Sequence, residues 1–187
     1  MTRILGISGS LRRDSHNTSL LRAAAAAAGP GLELELYEGL KQVPPYDEDD
    51  DLQPRPASVA RLNQAIASAD AVLFATPEYN ASIPGQLKNA IDWVSRPVAT
   101  NVLRNKPVAV VGASTGAFGA AWAQAELRKV LAALGARVLD FELLVPHAHT
   151  RFEAGGLTDE EIRVGLAEAV EALASESRER ERVKEVA

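Results

Sequence analysis

The chain has 187 residues, of which 47% are hydrophobic, and its formal net charge is −5. This length and composition suit one domain with its own core, and the acidic balance, without a basic stripe, argues against nucleic acid as a partner. Because there is no cysteine, disulfides, thiolate metal sites and cysteine nucleophiles are excluded, and redox chemistry would need a bound cofactor.

Strand and helix patterns alternate along the chain. The hydrophobic pattern predicts strands at 3–8, 32–37, 71–76, 108–113 and within 136–145. It predicts helices at 17–28, 57–69, 85–95, 119–134 and from Thr158, where Thr158-Asp159-Glu160-Glu161 matches a capping box. The acidic run at 47–51 lies in a long loop, and we interpret it as solvated because its spacing is not that of cation ligands.

This alternation predicts an α/β fold, in which a mostly parallel sheet lies between two layers of helices. Five strands suit a flavodoxin-like three-layer sandwich with strand order 2-1-3-4-5, and the Leu-Glu alternation at 32–36 marks an edge strand. We assign residues 1–175 to this domain. The charged tail at 176–187 either extends the last helix through ion pairs or frays.

The first loop, residues 9–19, joins the first strand to the first helix and is rich in groups that bind anions. A helix N-terminus offers free N–H groups and a positive dipole end to a phosphate. Side-chain donors are available from Ser10, Ser15, Asn17, Thr18 and Ser19, and one arginine, Arg12 or Arg13, adds charge. The alternative is a capped helix with a polar entry loop. The spacing matches neither a Walker A loop nor a dinucleotide glycine motif.

Two further loops follow the third and fourth strands. In the second loop, residues 76–85, two prolines stiffen the backbone and Tyr79 offers an aromatic ring, although a rigid surface loop would look the same. The third loop, residues 112–119, has three glycines that let a flat ligand approach the backbone, and its alternative is a mobile connection. Together the three loops predict a site for a mononucleotide with a flat ring.

The residues at 7–12, 76–93 and 114–119, with Ser15, Asn17 and Ser19, resemble a known family. They are similar to the motifs of NAD(P)H-dependent FMN reductases, and within that family to the branch of bacterial quinone and chromate reductases. The resemblance covers roughly residues 3–145. It implies bound FMN and either NADPH or NADH as the electron donor.

The resemblance also implies which residues bind the cofactor. They are Ser10, Arg12, Ser15, Asn17, Thr18 and Ser19 for the phosphate, and Pro77, Glu78, Tyr79, Asn80, Ser114, Thr115 and Gly116 for the ribityl chain and the isoalloxazine. Hydride would pass through FMN N5 in a ping-pong cycle to a quinone, chromate, an azo compound or a flavin. Because FMN carries this chemistry, we expect no catalytic side chain and no metal.

Membership of this family would imply a homodimer or homotetramer, with residues 87–93 at or near the subunit contact. A cytoplasmic location and no membrane partner are expected, because no signal peptide is evident and the apolar run at 23–28 is too short to span a bilayer. His147 and His149 suggest a surface or subunit contact rather than a metal site. Two rival functions remain: a flavin reductase that supplies reduced FMN to a monooxygenase, and a flavodoxin-type electron carrier.

Overall fold

The computed structural model describes residues 1–186, and the side chains of residues 1–179. The strands are β1 Thr2–Ser8, β2 Leu32–Leu36, β3 Ala71–Ala75, β4 Pro107–Ala113, β5 Arg137–Val138, β6 Leu144–Val145, β7 Phe152–Glu153 and β8 Gly156–Leu157. The helices are α1 His16–Ala27, α2 Ala57–Ser68, α3 Gly85–Val94, α4 Ala121–Ala133 and α5 Glu160–Val186. None of the described helices is both long enough and apolar enough to cross a bilayer.

The main sheet has the order β2-β1-β3-β4-β5, and all of its pairings are parallel. The flavodoxin-like order is therefore confirmed, and β2 lies at an edge as its Leu-Glu alternation predicts. Ser8 pairs with Ala75, and Ala75 with Val111. This register brings the carboxyl ends of β1, β3 and β4 to one edge of the sheet, where ligands bind in folds of this kind.

Two hydrophobic cores lie on the two faces of the sheet. On one face α1 and α5 cover residues such as Leu73, and on the other α2, α3 and α4 cover Val72 and Phe74. Successive residues of β3 thus enter opposite cores, as the pleat requires. Because both faces are covered, the central strands are continuously apolar instead of alternating with polar residues.

The fifth strand position differs from the prediction. The single strand expected within 136–145 is two short strands, β5 and β6, both of which pair with β4. Between them Leu139, Phe141 and Leu143 pack against the α1–α5 core, while Asp140 and Glu142 are exposed. This alternation of apolar and exposed residues is typical of one continuous strand. The segment lies at the edge of the sheet, where β4 is its one neighbouring strand, and it pairs with β4 only at its two ends.

The start of the last helix also differs from the prediction, so the capping box at Thr158 is wrong. The cap is Asp159, whose Oδ1 accepts a hydrogen bond from Ile162 N at 3.2 Å. Thr158 Oγ1 instead donates to the carbonyl of Arg151 at 3.1 Å. That bond belongs to the β7–β8 hairpin, whose two-residue strands are too short for a periodic signal. Most side chains of the charged tail lie outside those described, so the ion pairs expected there stay a prediction.

Candidate functional site

The three loops predicted to bind a ligand lie together at the carboxyl edge of the sheet and line one cleft. This cleft has a volume of about 90 Å³. Its lining residues are Ser10, Arg12, Ser15, His16, Asn17, Pro77, Glu78, Tyr79, Ala113, Ser114 and Thr115. The cleft therefore brings together most of the predicted site residues from all three loops.

Asn17 connects the first loop to the end of β4. Its Nδ2 donates to the carbonyl of Ala113 at 3.0 Å, and its Oδ1 accepts from the N–H of Ala113 at 2.9 Å. The side chain is buried, with 3% exposed. Because one amide satisfies both backbone groups, Asn17 sets the separation of the two loops and has little hydrogen-bonding capacity left for a ligand.

The first turn of α1 supplies donors that suit an anion. Ser15 caps the helix, and its Oγ accepts from the N–H of Thr18 at 3.2 Å. Among the described residues, no hydrogen bond engages the N–H groups of His16 or Asn17, as is usual for the first residues of a helix. Both residues line the cleft. These N–H groups, the helix dipole and the exposed Arg12 form a donor set that fits a phosphate monoester.

The hydroxyls at the end of β1 and in the first loop differ in whether they are used within the protein or remain available to a ligand. Ser8 Oγ accepts from Thr18 Oγ1 at 2.9 Å and from the N–H of Ser10 at 3.3 Å. Ser10 Oγ accepts from the N–H of Arg12 at 3.4 Å, which leaves its own proton to donate. Ser10 therefore keeps a donor for a ligand, whereas the hydroxyl of Thr18 is directed towards Ser8.

Four predicted site residues are not among those that line the cleft: Thr18, Ser19, Asn80 and Gly116. Ser19 is buried on the opposite side of α1, beside Gly156 and Leu157 of the β7–β8 hairpin. Asn80 lies at the exposed tip of the second loop. The sequence could not show which residues of a loop line the cleft, because that depends on which side of α1, or of a turn, faces the cleft.

A tight turn shapes the second loop. Tyr79 and Ser82 exchange two backbone hydrogen bonds of 3.0 and 3.1 Å, and Asn80 and Ala81 between them have φ of 53° and 59°. Two left-handed central residues are typical of a type I′ turn, which Asn tolerates and which costs Ala roughly 1 kcal/mol. The turn places the Tyr79 ring, 48% exposed, at the rim of the cleft.

Glu78 anchors the second loop to α4. Its Oε2 accepts from the N–H of Ala123 at 3.1 Å, in the first turn of a helix that has no side-chain cap of its own. Ser82 Oγ adds a 2.6 Å hydrogen bond to Glu126. The Glu78 carboxylate thus acts as an acceptor at a helix N-terminus, where negative charge is stabilised, and a proton donor is not needed there.

The third loop is held against the segment that follows β6. Gly119 has φ of 57°, and a Cβ there would lie 2.6 Å from the backbone nitrogen of Val145. Only glycine fits this close approach. The N–H of His147 donates to the carbonyl of Gly116, and that of Ala148 donates to the carbonyl of Ser114, both at 3.0 Å.

His16 is a cleft residue that the sequence interpretation missed. Its ring stacks on Phe152 with centroids 5.2 Å apart. Burial lowers the pKa of His16 below its ordinary value, and the charges of Arg12 and His149 lower it further. The neutral form of the His16 imidazole is therefore favoured. The sequence did contain one indication that His16 lies in the site, namely its position directly after the Ser15 cap. Within the described part of the chain, no group of three metal-ligating side chains is placed to hold an ion.

Two exposed aromatic rings lie at the end of the third loop and at the start of α4. Phe118 and Trp122 are 61% and 50% exposed, and their rings meet edge to face with centroids 4.8 Å apart. Trp93 differs, because it is fully buried and its Nε1 donates to the carbonyl of Pro44 at 2.9 Å. Trp93 thus belongs to the core, whereas Trp122 and Phe118 present apolar surface to the outside of the protein.

Comparison with known proteins agrees with this geometry. Residues 2–150 match a family model described as NADPH-dependent FMN reductase. An NAD(P)H-dependent FMN reductase of Pseudomonas aeruginosa is 43% identical over 173 residues, covering 91% of this chain and 92% of its own. A 2-hydroxy-1,4-benzoquinone reductase of a Burkholderia species is 38% identical over 180 residues, covering 95% and 97% of the two chains.

A solved structure is similar along nearly the whole chain. It is that of FerB from Paracoccus denitrificans, a flavoenzyme NAD(P)H:(acceptor) oxidoreductase, with a TM-score of 0.85 and 37% identity. The match covers 96% of this chain and 98% of that one.

Replacing Asn17 tests its role as the connection between the first loop and β4. Asn17→Ala removes both partners of Ala113 and leaves a buried N–H and C=O unpaired, so we expect the free energy of unfolding to fall by about 2–4 kcal/mol. Urea denaturation measures this. Asn63→Ala, which removes one half-buried hydrogen bond within α2, is the matched control. Equal losses in the two variants would contradict the assigned role.

Proposed function

The chain belongs to the NADPH-dependent FMN reductase family, and on this premise we propose that it reduces quinones with electrons from NAD(P)H. It is an oxidoreductase that uses FMN and NAD(P)H and reduces a small acceptor. The observation that carries the proposal is the cleft itself, which offers anion donors at one end and flat, partly aromatic walls at the other. A phosphate-bearing flat cofactor needs both.

We propose that the phosphate of FMN is held by Arg12, by Ser10 Oγ and by the free N–H groups of His16 and Asn17. Pro77 and Tyr79 on one side, with Ser114 and Thr115 on the other, would border the ribityl chain and the ring. When bound, FMN accepts hydride from the nicotinamide and passes electrons to the acceptor. Thr18 and Ser19 support this site through the packing and capping of α1 rather than by direct contact.

The protein contributes position and shielding rather than acid–base chemistry. Glu78 holds the second loop against α4 as a carboxylate acceptor, and Asn17 holds the first loop against β4. The exposed ring of Tyr79 lines the cleft with Pro77, and both present apolar surface to a ligand. A flat apolar acceptor such as a quinone fits this apolar surface better than a strongly hydrated oxyanion does. The Burkholderia relative, which is named a benzoquinone reductase, supports quinones as the acceptor class.

We propose further that the chain forms a homodimer or homotetramer in which another copy covers the cleft. Ligand sites usually measure 300 Å³ or more, and the cleft of one copy measures about 90 Å³. The exposed Phe118–Trp122 pair, which begins on the same loop as the cleft residues Ser114 and Thr115, is the apolar surface that we propose the other copy covers. We also propose that residues 1–175 form the FMN-binding domain, that residues 176–186 extend its last helix, and that the protein is cytoplasmic. Residue 187 lies outside the described residues.

The acceptor class is tested with the purified protein, NADPH or NADH, and 1,4-benzoquinone. We expect a yellow protein that retains FMN through gel filtration and oxidises the nicotinamide only when the quinone is present. Absorbance of the nicotinamide measures the rate. Loss of FMN on the column together with reduction of free FMN alone would favour the flavin reductase instead. If neither NADPH nor NADH is oxidised, the reductase function is wrong and the protein is a flavodoxin-type electron carrier.

The contact between Arg12 and the FMN phosphate is tested by substituting each of two adjacent arginines in turn. Arg12 lines the cleft and Arg13 does not. Arg12→Ala is expected to raise the Kd of FMN about tenfold, the loss of one charge-assisted hydrogen bond. Arg13→Ala is the matched control and should change the Kd much less. Riboflavin, which has no phosphate, should bind the two variants equally, and a larger effect of Arg13→Ala would overturn the assignment.

The proposed subunit contact is tested by placing a charge in it. Trp122→Lys should shift the sedimentation coefficient to that of a smaller species, because burying an unpaired ammonium is costly. Val164→Lys is the control, since Val164 is equally exposed, at 49%, but lies on α5 across the sheet. Unchanged sedimentation of the Trp122 variant, or a monomeric parent protein, would contradict the proposal.

A further inference from the structure

A second cavity lies on the other side of the first loop, above the carboxyl ends of β1 and β2. It measures about 310 Å³. Ser10 and Arg12 line both this cavity and the cleft, so the two spaces are neighbours separated by the first loop. The proposed FMN site shares these two residues and uses no other residue of the second cavity.

Positive charge is concentrated around the second cavity. Arg12, Arg13, Arg22 and Lys41 line it, against a single carboxylate, that of Glu38. Among the side chains that the structure describes, none of these four cations forms an ion pair or a side-chain hydrogen bond. In a chain of net charge −5, such a group of unpaired cations favours an anionic ligand.

The floor of the second cavity is apolar and partly aromatic. Leu21 and Leu40 are buried, and the half-buried Tyr37 presents a ring whose hydroxyl donates to the carbonyl of Ser58 at 3.5 Å. A flat heterocycle can pack on such a floor while an attached phosphate meets the cationic rim. A volume of about 310 Å³ is at the lower limit for ligand sites, which suits part of a dinucleotide better than a whole one.

We propose that the second cavity binds the adenosine 2′-phosphate end of NADPH and so makes this chain prefer NADPH to NADH. The inference rests on the proposed function: with the nicotinamide in the cleft, the other end of the dinucleotide would pass over Ser10 and Arg12, which line both spaces, to reach the second cavity. The adenine would lie on Leu40 and Tyr37. The 2′-phosphate, which NADH lacks, would meet Arg13, Arg22 and Lys41.

The kinetic test uses the FMN-loaded holoenzyme with Arg22 and Lys41 exchanged, because these residues line the second cavity and not the cleft. Arg22→Gln and Lys41→Gln should each raise the KM for NADPH about fivefold, the size of one exposed ion pair, and more when combined. The KM for NADH should change less than twofold. Added salt should weaken the preference for NADPH in the parent protein.

Arg104→Gln is the matched control, since Arg104 is exposed and lies near Gly135, at the amino end of the sheet. It should leave both KM values as they are. Equal effects of the double variant on NADPH and NADH would overturn the proposal. So would a weaker affinity for FMN with an unchanged KM for NADPH, because the second cavity would then serve the phosphate of the cofactor.

Calorimetry on the FMN-loaded protein decides the proposal independently of turnover. Adenosine 2′-monophosphate should bind at least tenfold more tightly than adenosine, and the double variant should lose that difference. Inorganic phosphate that binds as tightly as the nucleotide would reveal a general anion site and overturn the proposal. This result does not depend on quinone reduction, so failure of the proposed function and failure of this inference can be told apart.

Discussion

The cleft depends on one buried amide. Asn17 and Ala113 stand 96 positions apart in the sequence, yet two hydrogen bonds of 2.9 and 3.0 Å join them. The parallel register of β1, β3 and β4 brings the loops to the same edge, and the amide then sets how far apart two of them stand. Without it, a buried N–H and C=O at the end of β4 would lack partners, at a cost of several kcal/mol.

The second loop and the far end of the third are held by the same kind of contact, in which a side chain on one element satisfies the backbone of another. Glu78 accepts from the first turn of α4, and buried Gln124 Nε2 donates to the carbonyls of Gly119 and Leu143, both at 3.1 Å. Because these polar groups are already engaged, the loops do not have to be ordered by the ligand. Preorganisation of this kind lowers the entropic cost of binding.

The distribution of charge fits an enzyme that binds two phosphate-bearing molecules. The chain as a whole is acidic, but four cations without an ion pair among the described side chains line the second cavity, and one of them, Arg12, also lines the cleft. FMN requires one anion site, and the second cavity offers another within reach of the cleft. Two sites separated by a single loop would let a resident cofactor and an exchanging donor occupy the protein together.

The sequence by itself determined the parallel α/β fold, its strand order, the edge position of β2 and the family, since these follow from periodicity and local motifs. It also indicated Ser10 and Arg12, which lie in the cleft. Only the tertiary structure decided that Ser19 is buried, that Asn17 is engaged by Ala113, that His16 lines the cleft and that the fifth strand is split. Each of these outcomes depends on contacts between segments distant in the chain, or on which side of a helix faces the cleft. Local pattern does not encode such contacts.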